Sequence, residues 1–305
     1  MLDALQLDFG QYSLGWFLLS VVLGGTLGVI LKYIFEVRLP ESLKSRQEVE
    51  EKVAHYSYPL LQAASDVELR IETVLTKGIR SNWLGSDVVQ GLRAGGGFLE
   101  NTSEGLGYFY LSTLYVFARY FAWIEILRRE TGFLEFPSGS KSKELYQILH
   151  RINNAFRYSG LWQLSDEERQ QANDYSRLHR HLQSAIGEIM IVKQNGKLDC
   201  ISFLEFVSKY KGSQGNQFRF WLHNLEEYFE GLSNIDIADI EQVITQTREY
   251  RVLRLIALQY WFYRLTNFLD PKFEKVPRRD ERNQESIRNR LPAAYRIAVE
   301  QLPVD

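Results

Sequence analysis

The chain has 305 residues, with 36 Lys and Arg against 38 Asp and Glu and a formal net charge of −2, so there is no global electrostatic case for binding nucleic acid. Its one cysteine, Cys200, excludes an intrachain disulfide framework and any cysteine-rich zinc site. The 18 Phe, 17 Tyr and 6 Trp point to a core packed with large rings.

The first element is Leu14 to Leu31, a run without a charge in which only Ser20 and Thr26 interrupt the apolar or small residues. At ~1.5 Å per helical residue it covers about 27 Å, and about 33 Å if it continues to Phe35 with Lys32 reaching toward the headgroups. That length predicts a transmembrane helix. A cleaved signal peptide is the competing reading, but Asp3 and Asp8 precede the run without any Lys or Arg, and no small-residue cleavage site follows it. Lys32, Arg38, Lys44, Arg46 and Lys52 all follow the run, which predicts a single-pass topology with the C-terminal bulk in the cytoplasm. Within the run Ser20, Gly24 and Gly28 recur every four residues. Such a stripe lets a second helix approach closely, and self-association is one reading; glycine is also common in membrane spans for no such reason.

Beyond the run the periodicity is helical. Ser42 to about Val74 carries Val49, Val53, Tyr56, Leu60, Leu61, Ala64, Val67, Ile71 and Val74 at steps of three and four, which predicts one long helix or two, broken or kinked near Pro59. Gly78 to Gly107 is a glycine-rich loop in which Gly95, Gly96 and Gly97, near Arg93, could bring backbone close to an anion. Neither a P-loop nor a dinucleotide fingerprint is present, and a surface insertion is the plainer account. Gly107 to Glu130 is dense in apolar residues but contains Arg119 and Glu125 and closes on Arg128 and Arg129. It therefore reads as a buried bundle helix; insertion as a second span is the alternative.

Further helices are predicted over Lys143–Tyr158, Asp174–Lys193, Ile201–Tyr210, Phe218–Leu232 and Asp236–Leu269. In the last of these Glu241, Arg248, Arg251 and Arg254 are expected to face water or a partner. Asn195-Gly196 is a two-residue hairpin signal, yet the apolar spacing on both sides favours a helix that stops at the glycine. Lys272 to Arg290 reads as a solvated linker or partly disordered arm, and Leu291 to Leu302 as a short helix with Pro292 in its first turn. The expected fold is all-α: a membrane anchor at 1–38, a helical cytoplasmic domain at 39–270, and a charged C-terminal tail at 271–305.

Candidate chemistry is sparse. His179 and His181, two apart, would point to different sides of a helix, and His55, His150 and His223 are isolated. Cys200 sits among apolar residues and reads as a small hydrophobe. Arg119, with Glu125 six residues on, either points into a ligand pocket or forms a structural ion pair with Glu188 or Glu205, both of which lie among apolar residues. No cofactor, metal or catalytic signature is recognised. These features predict a membrane-anchored interaction or scaffold protein whose partners are the bilayer and another protein or a second copy. A membrane-tethered ligand sensor or enzyme with a pocket near Arg119 and the glycine-rich loop is the alternative, and a pore-forming protein a second one.

Overall fold

Helical periodicity dominates the sequence and helices dominate the structure, a computed structural model that describes residues 39–78, 106–131, 139–157, 177–212, 215–230, 232, 250–276, 284–291 and 293–300. Leu14–Leu31, with Ser20, Gly24 and Gly28, lies outside the described residues, as do 79–105 of the glycine-rich loop, Glu241 and Arg248. The chain divides into Met1–Lys52 and Val53–Asp305. Of the first unit only Leu39–Lys52 is described, as helix; the second is an all-α bundle.

The bundle begins on α1 (Leu39–Thr73), which runs through Pro59 as one helix and passes into a π-helical turn at Val74–Gly78. Of the two expected arrangements, one long helix rather than two is found across Pro59. Leu60, Leu61, Ala63, Ala64, Val67 and Ile71 are all buried on its C-terminal side. Each buried aliphatic side chain contributes about 1.5–3 kcal/mol, against a cost of ~3 kcal/mol for one internal proline.

The central element is α2 (Leu106–Thr131). Tyr110, Leu111, Leu114, Phe117, Ala118, Phe121, Ala122 and Ile126 are buried, and they cover more than one face of the helix because neighbours surround it. Among the helices its aromatic residues reach are α3 (Gly139–Arg157), α6 (Gly215–Glu230) and α7 (Tyr250–Leu269). Phe117 meets Phe229 of α6 at 5.0 Å between ring centroids, Phe121 meets Phe156 of α3 at 5.1 Å, and Tyr120 meets Phe262 of α7 at 4.7 Å, each edge-on. No helix among the described residues, α2 included, is long and apolar enough to cross a membrane.

The expected helix over Asp174–Lys193 is corrected. Helix α4 (Arg180–Ile189) ends early, and β1 (Ile191–Gln194) pairs antiparallel with β2 (Lys197–Cys200) around Asn195-Gly196. Asn195 has φ 51° and Gly196 φ 81°, the two positive values of a type I′ hairpin turn, whose twist matches that of the strands. Buried Met190 and Ile201 anchor the base, with the Ile201 N–H donating to the Met190 carbonyl at 2.9 Å. Helix α5 (Phe203–Lys211) follows, its Ser202 hydroxyl accepting the Glu205 N–H at 3.2 Å as an N-cap.

Two more expectations change at the C-terminal end. Arg254 does not face water: α7 is enclosed, Arg254 is 2% exposed, and its Nη1 donates to the Ala155 carbonyl at 2.6 Å. Burial lowers its pKa to about 10, with a smaller contribution from Arg177 and an opposing one from Tyr228, which leaves it charged at neutral pH. Nor are residues 284–290, within the stretch expected as a solvated arm, without structure, while the short helix expected over Leu291–Leu302 is present at Ala293–Glu300. In α8 (Gln284–Asn289), α9 (Ala293–Glu300) and the turn between them, Ile287, Leu291 and Val299 are buried. Arg290 forms a two-pronged pair with Glu72 of α1, its Nη2 at 3.0 Å from Oε1, and Trp261 Nε1 donates to the Val299 carbonyl at 3.1 Å. Three apolar side chains and pairing to the bundle offset the hydrophilic composition of the segment.

Candidate functional site

Arg119 and Glu125 are six residues apart on α2, which puts them on different faces of the helix. Arg119 faces α1, where its Nη1 donates to Asp66 Oδ2 at 3.0 Å. Asp66 therefore takes the place expected for Glu188 or Glu205. The pair is partly exposed, with 24% of the Arg119 side chain and 43% of Asp66 accessible, so it is worth at most about 1 kcal/mol. Burial raises the Asp66 pKa, opposed by the guanidinium groups of Arg119 and Arg70. Arg70 lies 4.6 Å above the Phe109 ring, which makes the α1–α2 seam a cation–π and ion-pair clamp. Arg119 thus forms a structural ion pair, but with neither of the two carboxylates expected for it.

Glu125 sits one helical turn before two cations on the same face. Arg128 Nη2 donates to its Oε1 at 2.7 Å and Arg129 Nε to the same oxygen at 3.0 Å, while Arg129 Nη2 reaches Glu188 at 2.8 Å. Burial lowers the Arg129 pKa, but the hydrogen bonds and charges of Glu125 and Glu188 more than offset it and the net shift is upward. Glu205 is apart from this group and pairs with Lys209 at 3.4 Å.

Glu125 also lines a cleft of about 90 Å³ between α2, α3 and α4. Phe121, Ile124, Leu127, Leu149 and Ile152 supply apolar walls, and Tyr146, His150, Asn153, Arg128, Arg180 and Ser184 supply polar groups. Gln183 ties α3 to α4: its Nε2 donates to the Leu178 carbonyl at 2.8 Å and its Oε1 accepts from Asn153 Nδ2 at 3.3 Å. The Asn154 amide lies 3.3 Å from His150 Nδ1, an arrangement that places the proton of a neutral ring on Nε2. Glu125 is 2% exposed, and both of its arginine contacts fall on Oε1. No donor among the described residues is seated on its other oxygen, and Arg180 has no carboxylate partner among them.

His179 and His181 flank Arg180 at the start of α4. His179 and His181 do not point apart as expected, because His179 precedes the helix in an extended conformation (φ −63°, ψ 152°) and the two rings stack at 5.8 Å. Burial lowers the His179 pKa, and His181, Arg177 and Arg157 lower it further. No group of three His, Cys, Asp or Glu among the described residues could hold a metal ion.

Cys200, at the end of β2, is half-buried, and burial pushes its thiol up to about 12; Asp199 and Glu205 push the same way and Arg119 opposes them. Its neighbour Tyr115 donates its hydroxyl to the Ile201 carbonyl at 3.1 Å, and burial raises that phenol to about 12 as well. Both groups are protonated at neutral pH and serve packing. The cleft was not legible in the sequence, since its walls come from three helices and no local motif marks it. The one available signal was Glu125 with Arg128 and Arg129, an i, i+3, i+4 cluster inside an apolar helix.

Comparison of the chain with protein-family models, with curated proteins and with solved structures finds no match. The chemistry available at the cleft is recognition: an apolar cavity, an exposed cation and a carboxylate oxygen that neither arginine occupies.

Proposed function

We propose that this chain is a membrane-anchored helical interaction protein, held in a bilayer by Leu14–Leu31 and presenting its helical bundle to a partner in the cytoplasm. The observation that carries the proposal is the charge-free run itself, followed by Lys32, Arg38, Lys44, Arg46 and Lys52 with no cation before it. The bundle adds support of a different kind. Leu204 is 80% exposed and Phe220 68% exposed although the core is already filled, so neither is used in folding. Tyr108, also exposed, lies edge-on to Phe203 at 5.5 Å. Pairing of two copies through Ser20, Gly24 and Gly28 belongs to the same proposal.

A ligand-sensing role is the second reading, and the cleft beside Glu125 favours it over a pocket at Arg119. The cavity is small for that role, about 90 Å³ against roughly 300–1,000 Å³ for typical small-molecule sites. Alkaline carbonate washing of membranes from expressing cells tests the anchor. The chain is expected to stay in the pellet, with the C-terminal bulk cut by protease only from the cytoplasmic side; release into the supernatant overturns the proposal. Purification in mild detergent is then expected to bring down a second protein or a second copy in fixed ratio.

A further inference from the structure

We infer that the cleft between α2, α3 and α4 is a docking site for a short acidic segment of a partner protein, one apolar side chain of which fills the cavity. The inference rests on the interaction-protein proposal and names the chemistry of the partner. Volume decides between a small molecule and a side chain: about 90 Å³ is too little for a cofactor and suits a single aliphatic or aromatic anchor. The apolar walls of Phe121, Ile124 and Leu149 suit that anchor.

Charge fixes the rest of the occupant. Arg180 stands at the cleft with no carboxylate partner among the described residues. Glu125 does not cancel that charge, because Arg128 and Arg129 already neutralise it. A basic partner would be repelled, whereas Asp or Glu flanking the anchor can pair with Arg180 in the two-pronged geometry guanidinium groups favour. The second carboxylate oxygen of Glu125, which takes neither arginine, supplies what a seated peptide backbone needs, an acceptor for one N–H.

The test is selection from a random peptide library displayed on phage, using the full chain in lipid nanodiscs, followed by affinity measurements on synthetic consensus peptides. The expected consensus has one Leu, Ile, Phe or Trp flanked by Asp or Glu. Ser184→Trp, which intrudes on the cleft from a partly exposed position, should weaken the consensus peptide at least about tenfold, and Arg180→Glu should turn the selected flanks from acidic to basic. Circular dichroism of both variants checks that the fold is kept, which the exposure of Arg180 favours. The inference is overturned by no enrichment, by a consensus without acidic flanks, or by peptides that bind the folded variants as they bind the wild type. Any of these outcomes leaves the membrane fractionation and co-purification results untouched, so the two proposals fail separately.

Discussion

The backbone of Gly187 in α4 lies so close to Phe121 in α2 that a Cβ added to the glycine would stand 2.6 Å from the Phe121 carbonyl oxygen. The obstacle is backbone, so no side-chain rotation relieves it. This contact sets the separation of two of the three helices that form the cleft.

Gly187→Ala is therefore expected to destabilise the protein, contrary to the usual gain of roughly 0.5–1 kcal/mol when alanine replaces a glycine inside a helix. Overpacking against a fixed backbone costs about 1–3 kcal/mol, which outweighs that gain. Chemical denaturation of the detergent-solubilised chain measures the difference, with Ser184→Ala on the same helix as a control expected to change stability by less than about 0.5 kcal/mol. An unchanged or higher midpoint for Gly187→Ala would show that the helices can move apart freely.

Glu125 and its two arginines should respond unequally to removal. The Glu125 side chain is 3% exposed, whereas Arg128 and Arg129 are 43% and 42% exposed and can return to water if the carboxylate is lost. The double variant Arg128→Ala, Arg129→Ala leaves a buried carboxylate without its partners and is expected to cost about 3–5 kcal/mol. Glu125→Gln keeps an acceptor oxygen and should cost about 1–2 kcal/mol. Thermal melts of the two proteins at neutral pH compare them. Equal losses would mean that burial of the carboxylate is not what makes the cluster matter.

Long helices were legible in the sequence because their apolar spacing persists over many turns. Gly107–Glu130 marks α2 to within a residue at each end, and Tyr250–Leu269 lies inside the stretch assigned to the last long helix. Short and paired features were not. Four-residue strands such as Ile191–Gln194 are too brief for a period of two to compete with one of 3.6, and Asn195-Gly196 serves as a helix stop or a hairpin turn equally well. Arg254 was misplaced because a helical wheel assumes one wet face, and α7 has almost none. Asp66 could not be named as the partner of Arg119, since 53 residues separate them and only the crossing of α1 with α2 joins them. The cleft failed to show for the same reason.

Cys200 is expected to resist alkylation. With its thiol pushed up to about 12, on the order of one molecule in 10⁴ carries the thiolate at about pH 8, while an ordinary cysteine is ionised to tens of per cent. Iodoacetamide should therefore label the folded chain at least about a hundredfold more slowly than the same chain in denaturant. Mass spectrometry over a time course gives the two rates. Comparable rates would place the thiol in water and remove it from the packing of β2 against α2.

The turn after α7 should make stability depend on pH through Asp270, which is 6% exposed. Its carboxylate accepts the N–H of Glu274 at 3.1 Å, of Lys275 at 2.9 Å and of Val276 at 3.0 Å, and its own carbonyl accepts the N–H of Phe273, held at φ 53°. Burial alone would raise the carboxyl pKa, but the three N–H donors and the charge of Lys275 hold it below the ordinary range. A pKa lower in the folded than in the unfolded chain stabilises the fold above the unfolded value of about 3.9, and the stabilisation disappears as pH falls through the folded value. Asp270→Asn should thus cost about 1–2 kcal/mol near neutral pH, where the charged acceptor is lost. The gap between wild type and variant should narrow as pH drops below about 4, because protonated aspartate and asparagine are then both neutral. Taking the difference cancels the titration of Glu72, Glu125 and the other carboxylates, which the two proteins share. Urea unfolding at a series of pH values reads the gap directly, and a gap that stays constant down to the acid limit would show that the three donors do not favour the ionised form.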